Sequence, residues 1–195
     1  IRDSILWFFS EAAMLLHNPE LSHAADHAYR FLMRYCVDRK AGGVFWSVTY
    51  DGKPLDTTKH TYNQAFAIYA LSAYYRLTGN PEALQTARQL FQIVEMHCRD
   101  AEGYGESYDR FWNPQSNEKL SENGVMAERT MNTLLHVFEG YSGLYQAAKS
   151  PEVEKELRAL LDIWSEKMFD PEKRRQEVFF DRAYQCLLYT SPSPR

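Results

Sequence analysis

The sequence predicts an all-α fold, a stacked or ring-closed array of helical hairpins with short β strands confined to the loops. Three observations predict it. The junction Asn18-Pro19-Glu20 returns as Asn80-Pro81-Glu82 and as Ser150-Pro151-Glu152, at spacings of 62 and 70 residues. Each junction has an apolar stretch of helical period before it and another after it. A long loop then separates one unit from the next. A motif returning at near-constant intervals marks a repeat architecture, in which each unit buries its apolar face against its neighbours.

Each junction is a helix start. Asn or Ser accepts from the exposed N–H groups, Pro is tolerated at the first helical position, and Glu suits the positive helix end. The pattern predicts helices over residues 4–17, 21–37, 62–78, 81–98, 127–149 and 151–168. Two loops, 38–59 with Gly42-Gly43 and 99–125 with Gly103 and Gly105, join the units. Segments 44–48 and 178–180, rich in Val and Phe, read as short strands inside loops. Each unit is thus a hairpin with a tight turn at one end and a long loop at the other. The long loops all feed the starts of the third and fifth helices. Loops of that length in a compact chain usually carry function, so that side is the expected active face.

The chain has 195 residues, 45% of them hydrophobic, enough for one sizeable core. Its net charge is −4 with acids and bases intermixed, so neither a nucleic acid nor a membrane surface is expected as a partner. No apolar run approaches the roughly 18–20 residues of a membrane span. Cys36, Cys98 and Cys186 stand alone, with no CxxC pair. That fits a reducing compartment, and the cytoplasm is expected. His23 and His27 are four apart and could form half a metal site, but no third ligand stands in a sensible place; solvated face residues, and no metal, are expected. No phosphate loop or nucleophile elbow is present. The start, Ile1-Arg2-Asp3-Ser4, is not a signal peptide and has no initiator Met, which suggests a fragment. The last ten residues run into Ser191-Pro192-Ser193-Pro194 and resemble the translation of a sequencing transposase adapter. The expected organisation is one domain over 1–185 and a non-native tail over 186–195.

The chemistry concentrates at two helix starts. In Met131-Asn132-Thr133-Leu134-Leu135-His136, residues Asn132 and His136 are four apart and share a face, with Glu139 near the same stripe. A polar stripe on an apolar helix suits a wet cavity. His136 then transfers a proton or binds substrate with Asn132 beside it; otherwise it is a core histidine satisfied by a hydrogen bond. The start Lys59-His60-Thr61-Tyr62-Asn63-Gln64 suits hydroxyl recognition, or ordinary capping. On the first helix, Trp7, Phe8, Phe9 and Glu11 read mostly as packing residues.

Five motifs resemble the N-acylglucosamine 2-epimerase family, and within it the cellobiose 2-epimerases. They are Ile5-Leu6-Trp7-Phe8-Phe9-Ser10, Asp51-Gly52-Lys53-Pro54-Leu55-Asp56, Lys59-His60-Thr61-Tyr62, Gln64-Ala65-Phe66-Ala67-Ile68-Tyr69-Ala70-Leu71-Ser72, and Met131-Asn132-Thr133 with His136-Val137. They occur in the family's order, and the resemblance covers about residues 1–185. It implies an (α/α)6-barrel of six hairpins, of which about three are present. It implies epimerisation at C2 of a reducing sugar or disaccharide, without a cofactor, by proton abstraction, a cis-enediolate and reprotonation on the other face. By the same resemblance His136 matches an active-site histidine, Asn132 the asparagine beside it, and Tyr62 a substrate-binding tyrosine. Ser4 stands where the family has a sugar-contacting Arg, and Leu134 where it has another His. The family's His-x-x-Glu motif and last histidine fall beyond Gln185, so a chain of this length is expected to be inactive and marginally stable alone.

Near alternatives are an N-acylglucosamine 2-epimerase or a mannose isomerase. From other classes come a non-catalytic carbohydrate-binding helical module and a glycoside hydrolase. The last needs paired carboxylates, for which Glu106, Asp109 and Glu139 are available without an evident pairing.

Overall fold

The computed structural model describes residues 2–119 and 125–188. Six α-helices run in order: α1 (Arg2–Leu16), α2 (Pro19–Phe31), α3 (Thr61–Thr78), α4 (Pro81–Ile93), α5 (Met131–Ala148) and α6 (Pro151–Ile163). They pair as hairpins α1/α2, α3/α4 and α5/α6, and α3 packs between α1 and α5. Helices α1, α3 and α5 therefore form one layer, and α2, α4 and α6 the other. Residue pattern explains the assignment. α4 buries a single stripe, Ala83, Thr86, Ala87, Leu90 and Phe91, the spacing of a helix covered on one side. α3 buries Ala65, Ala67, Ile68, Ala70 and Leu71 almost all round, as a helix enclosed by neighbours must.

The junctions start helices as predicted. Asn18 accepts from the Glu20 N–H, and Asn80 from those of Glu82 and Ala83. Ser150 departs: its hydroxyl caps nothing, and its carbonyl simply accepts the Glu154 N–H at 3.0 Å. Each outer helix closes with five residues of wider π turn, Leu32–Cys36, Val94–Cys98 and Trp164–Met168, where the pattern predicted plain helix. α5 starts at Met131 rather than at residue 127. Arg129–Thr130 are extended because they pair with Phe179–Phe180, and the Thr130 hydroxyl caps the helix through the Thr133 N–H at 3.0 Å. Strand pairing here overrides a sequence, Ala127-Glu128-Arg129, with good helix propensity.

The strands are β1 (Ser47–Val48), β2 (Pro54–Asp56), β3 (Lys59–His60), β4 (Ser107–Tyr108), β5 (Arg129–Thr130), β6 (Phe169–Asp170), β7 (Arg175–Gln176), β8 (Phe179–Phe180) and β9 (Cys186–Leu188). β3 pairs with β4 and β5 with β8, all antiparallel. The two residues ahead of an inner helix are thus tied to the loop of the following unit. Of the strand expected over 44–48, Val44 makes a single bridge to Val37 and only Ser47–Val48 is regular. Of the expected tail, Cys186–Leu188 pairs with β8 and residues 189–195 lie outside the described residues.

Two glycines let α5 approach α3. A Cβ on Gly140 would sit 2.7 Å from the Ala65 carbonyl oxygen, and one on Gly143 would sit 2.8 Å from the Tyr69 ring. The starts of α3 and α5 are thereby held side by side.

Candidate active site

Helical spacing puts Tyr62 and Phe66 on one face of α3, and Asn132 and His136 on one face of α5. The close approach of the two helices brings the rings together. The His136 imidazole meets the Tyr62 ring edge-on at 4.7 Å and lies 4.4 Å from the Phe66 ring. Its Nδ1 is 2.7 Å from Glu139 Oε2, one turn along α5. A carboxylate accepts, so Nδ1 is the donor of this contact and Nε2 is left free of it. The His136 side chain is 16% exposed and that of Glu139 39%.

The wall continues along α3 to Tyr69, which stacks on Trp7 of α1 at 5.4 Å. Burial, then the charge of Glu139, raises the phenols of Tyr62 and Tyr69 above their ordinary value, with Glu11 adding to the effect at Tyr69. Both stay protonated as hydrogen-bond donors at neutral pH. The arrangement offers one imidazole with a free nitrogen, one carboxylate and two phenols on an aromatic wall.

Of the three residues singled out by sequence, Tyr62 and His136 are in contact. Asn132 lies on the same face one turn nearer the helix start, is exposed, and its side chain makes no hydrogen bond among the described residues. Phe66 was missed as part of the site, although its spacing of four from Tyr62 carried the signal. The other polar residues at the start of α3 hold loops in place. Gln64 brackets the Val44 backbone through both ends of its amide, at 2.7 and 3.0 Å. Asn63 donates to the Phe45 carbonyl at 2.8 Å, and Thr61 to that of Gly105 at 2.5 Å. His60 is buried against Trp46, 4.3 Å between rings, with Nε2 3.4 Å from the Ser107 hydroxyl. Burial, helped by the Lys119 charge, pushes its pKa down to about 4, so it is neutral.

Ser4 is exposed on α1, and Leu134 is buried in the core. Phe8 of α1 is 55% exposed rather than packed. The three carboxylates weighed for glycoside hydrolysis serve separate purposes. Glu106 is buried and accepts from the Thr130 N–H and the Thr133 hydroxyl, Asp109 closes its own turn, and Glu139 holds His136. His23 and His27 are exposed on α2, and among the described residues no group of three metal-ligating side chains occurs. A cavity of about 550 Å³ lies behind the start of α5, lined by Glu106, Asn117, Arg129 and Arg182. The cavity's buried acid is already committed to holding α5, which leaves the His136 face as the candidate site. No helix among the described residues is long and apolar enough to cross a membrane.

Known proteins resemble this chain along nearly its whole length. The cellobiose 2-epimerase of Eubacterium cellulosolvens is 48% identical, over 96% of this chain and 50% of its own length. The solved cellobiose 2-epimerase from Bacillus thermoamylovorans B4167 superposes with a TM-score of 0.92 at 42% identity, over 95% of this chain and 48% of that one. A D-mannose isomerase shares the fold, with a TM-score of 0.80 at 21% identity. The chain spans about half the length of the curated relatives it matches. The family model described as N-acylglucosamine 2-epimerase (GlcNAc 2-epimerase) matches residues 3–190, and the chain belongs to that family.

Proposed function

We propose that this chain is half of the barrel of a sugar 2-epimerase that inverts C2 of a reducing disaccharide of the cellobiose kind. The open-chain sugar carries a carbonyl at C1, which acidifies the C2 proton. A base removes that proton, the electron pair moves onto the carbonyl oxygen, and a cis-enediolate forms. Return of a proton to the other face of C2 restores the carbonyl with inverted configuration. The carbonyl is its own electron sink, so the reaction needs no cofactor.

This half contributes His136 as a proton-transfer group and Tyr62 and Asn132 as substrate-binding groups. The starts of α3 and α5 add the positive end of each helix dipole, which favours the enediolate oxygens. The observation that carries the reading is the Glu139-fixed imidazole of His136 against Tyr62 and Phe66. The other acid/base groups that a 2-epimerase needs belong to the second half of the barrel, so the chain alone is inactive.

The test uses the chain joined to the second half of the Eubacterium cellulosolvens relative. Incubation with cellobiose in D2O should give the C2 epimer with deuterium at C2. His136→Asn should lower kcat by roughly 10²- to 10⁴-fold, the usual contribution of a positioned acid or base. Absence of C2 deuterium from the parent would end the epimerase reading. An unchanged kcat in the variant would remove His136 from the mechanism.

A further inference from the structure

Two buried cations are seated in the same way in successive units, and a third seat has no such cation among the described residues. Asp38 stands two residues beyond the first π turn. It accepts from the N–H groups of Lys40 and Ala41 at 3.0 and 3.2 Å, and Oδ2 takes the ammonium of Lys59, the first residue of β3. Arg110 adds a two-pronged contact at 2.8 and 3.0 Å, and Trp112 lies 5.9 Å from the Lys59 nitrogen. Asp100 stands two residues beyond the second π turn. It accepts from Glu102 and Gly103 at 2.9 and 3.0 Å, and takes Arg129, the first residue of β5, at 2.7 Å. Arg182 adds a contact at 3.4 Å, and Tyr184 lies 5.0 Å from the Arg129 guanidinium.

The capping turns correspond as well. Asp109 accepts from the Phe111 and Asn113 N–H groups, and Asp181 from those of Ala183 and Gln185. Trp112 and Tyr184 both have left-handed backbones, φ 71° and 62°. Each seat is therefore an Asp from one unit, filled by a cation ahead of the next inner helix and covered by an Asp-Arg-x-aromatic turn from the next long loop.

Asp170 stands two residues beyond the third π turn and accepts from Glu172 and Lys173 at 3.0 Å each. Its only cation among the described residues is Lys173 of the same turn, at 2.6 Å with a side chain 56% exposed. The Lys59 and Arg129 side chains are 0% and 2% exposed. Beside Asp170 a cavity of about 370 Å³ is lined by Lys173, Glu177, Phe180, Tyr184 and Cys186, and by Lys167, which is paired with Glu102 at 2.7 Å. Glu177 holds the position of Phe45 and Gly105, since each donates its N–H to the last residue of its π turn, at 2.8–2.9 Å. It is 7% exposed and faces Lys173 and Arg175 at 3.6 Å each, so the third seat sets two carboxylates against two cations, where each filled seat sets one carboxylate against two.

We propose that the cavity between Asp170 and Glu177 is a docking socket for a polypeptide carrying the remaining hairpins of the barrel. That partner inserts a Lys or Arg from the two residues ahead of its first inner helix and covers it with an Asp-Arg-x-aromatic turn. Charge favours a cation, and the two filled seats show its geometry. In the relatives, which are about twice this length, a segment of that size stands beside the matching half.

The chain, tagged, would be co-expressed with the second half of the Eubacterium cellulosolvens relative, and association read by light scattering on the eluting complex and by titration. A 1:1 complex is expected. Asp170→Asn keeps the oxygen that holds the turn but loses the charge, and should weaken association at least tenfold. Glu177→Gln should weaken it less, and Lys173→Ala should leave it equal or tighter. As a second measurement the two halves are joined in one chain, where Asp170→Asn should lower the melting midpoint while leaving that of the separate chain unchanged. Failure to form a complex would overturn the proposal. So would a complex insensitive to Asp170→Asn, a homodimer of this chain that the variant dissolves, or equal effects of the variant in joined and separate chains. Association does not depend on turnover, so loss of the epimerase reading would leave this result standing.

Discussion

Lys59 donates to Asp38 across 3.2 Å with both side chains closed to water. Burial alone would raise the Asp38 carboxyl, but Arg110, the Lys40 and Ala41 N–H groups and Lys59 together hold it well below the carboxylate range. Burial lowers the Lys59 ammonium, and Asp38 opposes that. Removing one partner of such a pair leaves a buried charge, at a cost of about 3–5 kcal/mol. Lys59→Met should therefore lower unfolding free energy by about 3 kcal/mol in urea, since Arg110 still serves Asp38. Lys59→Arg should cost much less, because the second unit seats Arg129 in the same way. Equal losses from both would show that shape rather than charge fills the seat.

Glu106 and His60 should oppose each other in the dependence of stability on pH. Burial raises Glu106 to about 7 against an ordinary 4.5, so its contribution is complete below pH 4.5 and is lost as pH rises to 7. Burial lowers His60 to about 4 against 6.5, so its contribution is complete above pH 6.5 and is lost as pH falls to 4. Each is worth about 3 kcal/mol at roughly 1.4 kcal/mol per unit, and between pH 4.5 and 6.5 they nearly cancel. Buried Asp3, raised from 3.8 to about 6, also makes stability fall with pH in that window. Relative to the parent, Glu106→Gln should therefore shift the slope of stability against pH upward, and His60→Gln should shift it downward. Urea midpoints at several pH values check both. A variant whose slope equals the parent's contradicts the assignment.

The repeat was legible because its signals are local. Asn18-Pro19 and Asn80-Pro81 name helix starts whatever surrounds them, and three such starts fix the hairpins. The face shared by Asn132 and His136 was legible for the same reason, being a spacing of four on one helix. What escaped depends on contacts between units. Arg129 and Thr130 read as helix until Phe179 and Phe180 pair with them. Gln64 and Asn63 read equally as hydroxyl-recognition or capping groups until the backbone of Val44 and Phe45 claims them. The π turns have no composition of their own, since Leu32–Cys36, Val94–Cys98 and Trp164–Met168 share little sequence.

Gly140→Ala should destabilise the chain although alanine is the better helix former by about 1 kcal/mol. The added methyl would meet the Ala65 carbonyl at 2.7 Å, and that oxygen belongs to helix backbone that cannot turn aside. Overpacking of this kind typically costs 1–3 kcal/mol, so a net loss of up to about 2 kcal/mol is expected, together with a wider gap between α3 and α5. Chemical denaturation gives the first. The ring-current shift of His136 protons against Tyr62 gives the second. A more stable variant would mean that the helices separate freely.

Glu139→Gln separates the charge of that residue from its hydrogen bond. The amide oxygen can still accept from His136 Nδ1, so ring orientation survives while the negative charge is gone. Tyr62, raised first by burial and then by Glu139, should titrate nearer its ordinary value but still above it, and the change reads directly in the phenolate absorbance of the chain alone. In the joined epimerase the same substitution should lower kcat by about tenfold with KM little changed, because a charge beside the imidazole matters most when the ring carries a proton. Glu139→Ala removes the hydrogen bond as well and should cost more. If Glu139→Gln shifts Tyr62 without touching kcat, the carboxylate tunes the wall of the cavity, and His136 is oriented by geometry alone.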